Sequence, residues 1–249
     1  NGRVRCLASR YLEGEPIGSF RFHGRREDDP NDRVKHEHRR ELRGLRVLSS
    51  WLNDADRRTA NTLDMYVSDG EGRGHVDHYI IDMGSTLGSN SWMPHLPKYG
   101  EEYLWSPAEI GKSFLSAGLY RPAWQKKTWD NPLPLKFASI GYFDNQTFDP
   151  GAWVTTFPLI SFQWCTNRDG YWGAKLVMSF SDEDIEAIVE TAHYTDPDAA
   201  AELVRLLVER RDIIGRYWYD RVNPLDRFTV VGDSLRFADL AVQGGLASR

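Results

Sequence analysis

Apolar residues recur at Leu42, Leu45, Val47, Leu48, Trp51 and Leu52, one stripe of a helix, and this spacing predicts a helix across residues 36–52 despite Gly44. Leu63, Met65 and Val67 alternate instead. A glycine-rich turn from Ser68 to Gly74 then leads to a return strand at His78–Asp82, so the pattern predicts a hairpin over 62–82. Val4–Leu12 reads as a strand ended by Glu13-Gly14-Glu15-Pro16, and the polar run 23–35 as a loop. Two helices close the chain. Ser181 and Asp184 make a capping-box start to Asp182–Ala192. Thr195 or Asp196 caps a longer helix that enters through Pro197 and runs to about Arg221. Phe228–Val231 is a weak strand candidate. Between Gly84 and about Phe180 the pattern is irregular and rich in Pro, Gly and Trp, with short helix candidates such as Pro107–Ala117; its aromatic content predicts order.

Composition narrows the function classes. The 249 residues are 41% hydrophobic and 27% charged, enough to bury a sizeable core. Net charge is −5, so no global field recruits nucleic acid or an anionic membrane. No apolar run approaches the ~20 residues that span a bilayer, which predicts a soluble protein without a transmembrane segment. Its compartment stays open, with export following if a precursor carries a signal peptide. Cys6 and Cys165 are expected to be separate thiols. Residues 25–46 hold eight Lys or Arg against six acids, an excess too small for a nucleic-acid patch. A salt-bridged face is the expectation there, with Arg39 and Arg40 as candidate phosphate contacts.

The chemistry concentrates between the first helix and the hairpin. Asp56 precedes Asn61 by five positions, and the hairpin returns Asp82 beside that Asn, because antiparallel strands come back to their starting end. Magnesium prefers carboxylate and amide oxygens and keeps waters and substrate phosphates in its other positions. One Asp and one Asn can hold such an ion while a second Asp orients a hydroxyl and accepts its proton.

Asp56-x-x-x-x-Asn61, a hairpin, then Asp82-x-Gly84 resembles the layout of the protein-kinase-like superfamily. Arg57 after the first Asp is closer to its lipid-kinase and HipA-like branches than to ordinary protein kinases. The resemblance covers roughly residues 1–90 and extends to longer bacterial proteins with an upstream Lys-bearing strand and a signal peptide. It implies an α+β kinase-like C-terminal lobe, mostly helical, with a β-hairpin at the catalytic centre and a long aromatic-rich irregular segment. Asp56 would be the catalytic carboxylate, Asn61 and Asp82 the metal ligands, and Leu63 the floor under an adenine ring. ATP and Mg²⁺ would be the cofactors, with an unknown phosphate acceptor. Along the chain, 1–22 would be a hinge-like strand and linker, 36–90 the helix, catalytic loop and hairpin, 91–180 the irregular segment, and 181–249 the C-terminal helices and tail. An upstream nucleotide lobe of the same protein would complete the site, leaving this stretch alone inactive. The sequence departs from the pattern at Arg58, where those branches have His, at Met83 in place of Phe, and in the long spacer from Asn61 to Asp82.

Two other classes fit the same residues. One is a kinase-like scaffold without catalysis, recognising a protein or cell-envelope partner through its aromatic middle, and Arg58 favours it. The other is a metal-dependent hydrolase using the same carboxylates. Asp and Asn are also ordinary turn residues, so Asp54 or Asp56 ending a helix is the plain alternative. His36-Glu37-His38 and His75-x-x-His78 lack further nearby ligands for zinc, and exposed histidines are the expectation. Gly70–Gly74 reads as a hairpin turn, and Gly84–Ser89 as the start of an activation segment or a plain loop. Trp124, Trp129, Trp153, Trp164 and Trp172 are expected to pin the irregular segment to the core. Arg205, Arg210, Arg211 and Arg216 are expected to form a solvated helix face with Glu202 and Glu209.

Overall fold

A computed structural model describes residues 10–90, 93–122, 124–125 and 136–247, and shows a mixed α+β chain. A short strand β1 (Glu15–Gly18) leads through a loop and a single 3-10 turn (His36–His38) into α1 (Arg40–Leu52). A second 3-10 turn (Thr59–Asn61) runs directly into β2 (Thr62–Ser68), which pairs with β3 (Gly74–Ile80). The sheet order is β1-β2-β3, all antiparallel, so Pro16 lies in an edge strand, where a missing N–H is tolerated. Next come the two-residue strands β4 (Ser89–Asn90) and β5 (Met93–Pro94), then α2 (Pro107–Leu115). The remainder holds α3 (Ile160–Gln163), α4 (Asn167–Val177), α5 (Asp182–Glu190), α6 (Pro197–Tyr219), a hairpin of β6 (Leu225–Val231) with β7 (Ser234–Asp239), and α7 (Leu240–Gln243).

The first helix, the hairpin and both C-terminal helices stand where the apolar pattern put them. Ser181 and Asp184 form the capping box of α5, and Asp196 rather than Thr195 caps α6. The irregular segment is shorter than its composition suggested. Thr166 and Asp169 make a second capping box that opens α4, an element the Gly- and Trp-rich sequence conceals. The Val4–Leu12 strand falls mainly outside the described residues, and Cys6 and Trp129 fall wholly outside them; residues 10–12 belong to no strand.

Two apolar cores hold these elements. Val47 and Trp51 of α1, Val177 of α4, Ile185 of α5, and Leu203, Leu207 and Ile214 of α6 share the larger. Phe20, Phe22, Ala55, Trp153 and Phe162 make the smaller, directly beneath the turn that follows α1. Trp153 therefore anchors the irregular segment as expected, and its indole N–H donates to the Asn53 side chain at 2.9 Å. Trp164 does not, being exposed beside the His38 ring.

Close approach of α1 to α4 depends on two glycines. A methyl group on Gly173 would lie 2.6 Å from the Gly44 carbonyl oxygen and 2.9 Å from Val47 Cβ. Alanine's better helix propensity contributes about 1 kcal/mol, less than the strain of forcing backbone apart. Gly173→Ala is expected to lower stability by about 1–3 kcal/mol in urea unfolding, and an unchanged or raised midpoint would refute this packing.

Candidate functional site

The site begins where α1 stops. Asn53 takes a left-handed conformation (φ 51°) and its N–H returns to the Ser49 and Ser50 carbonyls, a helix end of the kind Asn tolerates. The next five residues turn the chain into the 59–61 turn and β2. Arg57 is fully buried at their centre. Its Nε pairs with Asp54 Oδ2 at 2.6 Å, and Nη1 donates to the carbonyls of Asn61 (3.2 Å) and Ile81 (2.9 Å). Nη2 donates to the carbonyl of Asp82. One guanidinium thus joins the helix exit, the start of β2 and the residues after β3.

Asn61 is also buried, and its amide nitrogen donates to the Asp56 carbonyl at 2.8 Å and to Asp56 Oδ2 at 3.2 Å. Both contacts are acceptors, so the amide orientation is determined, and its oxygen points the other way. That oxygen accepts no hydrogen bond among the described residues. Asp82 is exposed, held in a left-handed conformation (φ 56°), and its Oδ1 takes one long bond, 3.4 Å, from the Gly84 N–H. Asp56 and Asn61 are therefore in direct contact, and Asp82 reaches them through Arg57. Leu63 is half-buried on β2 opposite Tyr79. Among the described residues no three His, Cys, Asp or Glu side chains group as metal ligands, so an ion here would draw on one amide and one carboxylate from the chain.

Electrostatics place the carboxylates in one neighbourhood. Burial pushes the Asp54 carboxyl up to about 6, the charges of Asp56 and Asp82 add to this, and Arg57 opposes it. Its second oxygen is buried without a donor. Arg58 Nη2 lies 3.3 Å from Asp56 Oδ2, but the arginine is 45% exposed, and such pairs contribute little, about 0–1 kcal/mol.

Sequence reasoning missed Arg57, Asp54 and His95 as a set. His95 is 2% exposed, stacked on Tyr99 with ring centroids 4.1 Å apart, and lies close enough to feel the Asp56 charge. Burial holds its pKa below the usual histidine value, so the ring is neutral near pH 7. Nothing in the pattern around Pro94-His95 signals this; it follows from β4 and β5 folding back on the hairpin exit, where the His95 N–H donates to the Gly88 carbonyl at 2.8 Å. The loop over Gly84–Ser89 is tied down by the same means, Leu87 donating to the Leu52 carbonyl at 2.8 Å.

Other expectations need correction. His36 is not exposed: it is buried between the Arg21 carbonyl and Asp32, which also pairs with Arg39. Arg39 is thereby occupied, while Arg40 lies 5.9 Å from the Trp172 ring centre. His78 is exposed but bonded to the wholly buried Asp64 at 2.6 Å. Arg205 does form the predicted face with Glu202 and Glu209, whereas Arg210 and Arg211 are buried. Arg210 donates to the Ser50 and Asp144 carbonyls with its guanidinium 3.4 Å from the Phe148 ring centre, a helical position whose charge is met by main-chain carbonyls of α1 and of the irregular segment rather than by water.

The chain matches no protein-family model, no curated protein and no solved structure in these comparisons.

The raised Asp54 pKa has a definite sign. Between about pH 4 and 6 the folded chain keeps a proton at Asp54 that the unfolded chain has released, so this group lowers stability as pH rises through that window, by up to about 3 kcal/mol. Subtracting the Asp54→Asn stability curve from that of the native sequence is expected to isolate this fall. A flat difference from pH 4 to 6 in denaturant titrations would show that Asp54 is not the group responsible.

Proposed function

We propose that this is a kinase-like phosphotransferase domain, in which Asp56 orients the acceptor hydroxyl and Asn61 and Asp82 hold Mg²⁺ with the phosphates of ATP. The observation that carries the reading is Asn61. Its nitrogen is fixed on Asp56, so its oxygen is presented as a free, rigid ligand beside a carboxylate aligned by the same bond. Hard amide and carboxylate oxygens suit Mg²⁺, which keeps waters and phosphate oxygens in its remaining positions. Bound there, the ion would neutralise charge on the transferring phosphate.

The chain's own part is positioning. Asp56 accepts the hydroxyl proton as that oxygen attacks, and the Asn61 amide steadies the carboxylate meanwhile. Arg57 fixes the backbone of Asp82 through its carbonyl, leaving the carboxylate free. Leu63, half-buried on β2, is available as an apolar surface for the adenine ring. The resemblance in residues 1–90 supports this reading, as does the α+β architecture with its hairpin following the catalytic turn.

A second reading, a kinase-like module that binds a partner without catalysis, is favoured by the Arg58–Asp56 contact, which engages the carboxylate the reaction needs.

Thermal unfolding with ATP and Mg²⁺, carried out on protein that includes the upstream nucleotide lobe this reading requires, separates the pieces. ATP with Mg²⁺ at a hundred times its dissociation constant stabilises by about 2.7 kcal/mol; the native sequence is expected to show a raised, Mg²⁺-dependent midpoint, which Asp82→Asn abolishes. Asp56→Asn is expected to keep that midpoint shift while losing turnover. Stabilisation with equal, negligible turnover in both native and Asp56→Asn chains would favour the binding module. No Mg²⁺-dependent shift in the native sequence would remove the nucleotide site altogether.

A further inference from the structure

A second site lies away from the hairpin, where α1, α4 and α6 meet the 151–155 segment. A cleft of about 350 Å³ opens there, a size suited to a small organic ligand. Half-buried Tyr103 and Tyr217 supply the accessible aromatic wall, over the buried rings of Trp153 and Phe162, and Arg46 is the single charged side chain lining it. In a chain with 36 acidic residues, none faces this cleft among those described.

Arg46 is held rather than neutralised. Its Nη2 donates to the Gly151 and Trp153 carbonyls, both at 2.8 Å, and it forms no ion pair among the described residues. The nearby acid, Asp169, is taken by Arg43 at 2.9 Å. The side chain that Arg46 meets in the cleft wall is Cys165. Burial pushes that thiol up to about 11, so it remains protonated and is a weak acceptor for a guanidinium. The first turn of α4 adds Asn167 to the rim, with the positive end of the helix dipole.

A rigid, uncompensated cation in an acid-free aromatic cleft selects for one ligand chemistry. We propose that this cleft binds a small organic anion, its planar apolar body against Tyr103 and Tyr217 and its carboxylate paired with Arg46. One guanidinium matches one carboxylate, and the pinned Nη2 lowers the entropy lost in forming that pair. This site is independent of the phosphotransferase reading and shares no side chain with it.

Benzoate, benzyl alcohol and benzylammonium share a ring and differ in charge, so they test the proposal directly on the native chain. Benzoate is expected to bind saturably in calorimetry, raise the unfolding midpoint, and slow N-ethylmaleimide labelling of Cys165 by several-fold, with Cys6 labelling in the same digest as reference. Benzyl alcohol and benzylammonium are expected to do none of these at equal concentration. Equal protection by benzyl alcohol, or no saturation by benzoate below about 10 mM, would overturn the proposal. Arg46→Met is expected to weaken benzoate at least about tenfold. Because Arg46 also anchors two carbonyls, that variant is read beside the native ligand series, which decides the matter alone.

Discussion

A single buried guanidinium organises the turn and hairpin that carry the candidate site. Arg57 has no solvent access, so its charge must be met within the protein. Nε does this through the ion pair with Asp54, without hydrogen-bond geometry, and the terminal nitrogens through hydrogen bonds. The guanidinium finds the Asp54 carboxylate and three main-chain carbonyls belonging to segments more than twenty residues apart in sequence. Removing one partner of such a group leaves an uncompensated buried charge, which typically costs 3–5 kcal/mol. The geometry at the mouth of the hairpin is thus conditional on Arg57, whatever ligand the mouth accepts.

The rest of the irregular segment is held by the same kind of contact. Arg46 ties Gly151 and Trp153, and Arg210 ties Ser50 to Asp144. Chain without regular ladders has carbonyls to satisfy, and long cationic side chains projecting from α1 and α6 satisfy them. This explains why a stretch lacking periodicity still folds, and why arginines on an amphipathic helix can point inward.

That substitution of side chains for ladders also sets what was legible in the sequence. Periodicity reports repeating burial, so α1, β2, β3, α5 and α6 were readable from spacing and caps. Asp56 and Asn61 were readable because their contact is local, five residues apart, and Asp82 because a hairpin returns to its origin. Arg57, His95 and Arg210 were not. Their burial depends on partners 3 to 160 positions away, and a lone Arg or His carries no mark distinguishing a solvated position from an enclosed one. Capping box Thr166–Asp169 was present in the sequence, but Gly170, Trp172 and Gly173 masked the helix behind it. Those glycines exist for packing: a methyl on Gly170 would lie 2.1 Å from the Trp218 ring.

Charge balance then bears on what the hairpin mouth can accept. The charges of Asp56 and Asp82 both act on Asp54, and two guanidiniums accompany the three carboxylates. Arg57 is spent on Asp54 and on carbonyls, and His95 is neutral. What remains is Asp56 against an exposed, loosely placed Arg58, and Asp82 with a single long backbone bond. The free side of the site therefore carries negative charge and an unbonded amide oxygen, an arrangement that attracts a cation and repels a bare polyphosphate. A nucleotide would enter such a site only together with its metal, and the exposed Arg58 beside Asp56 is placed to meet the incoming negative charge.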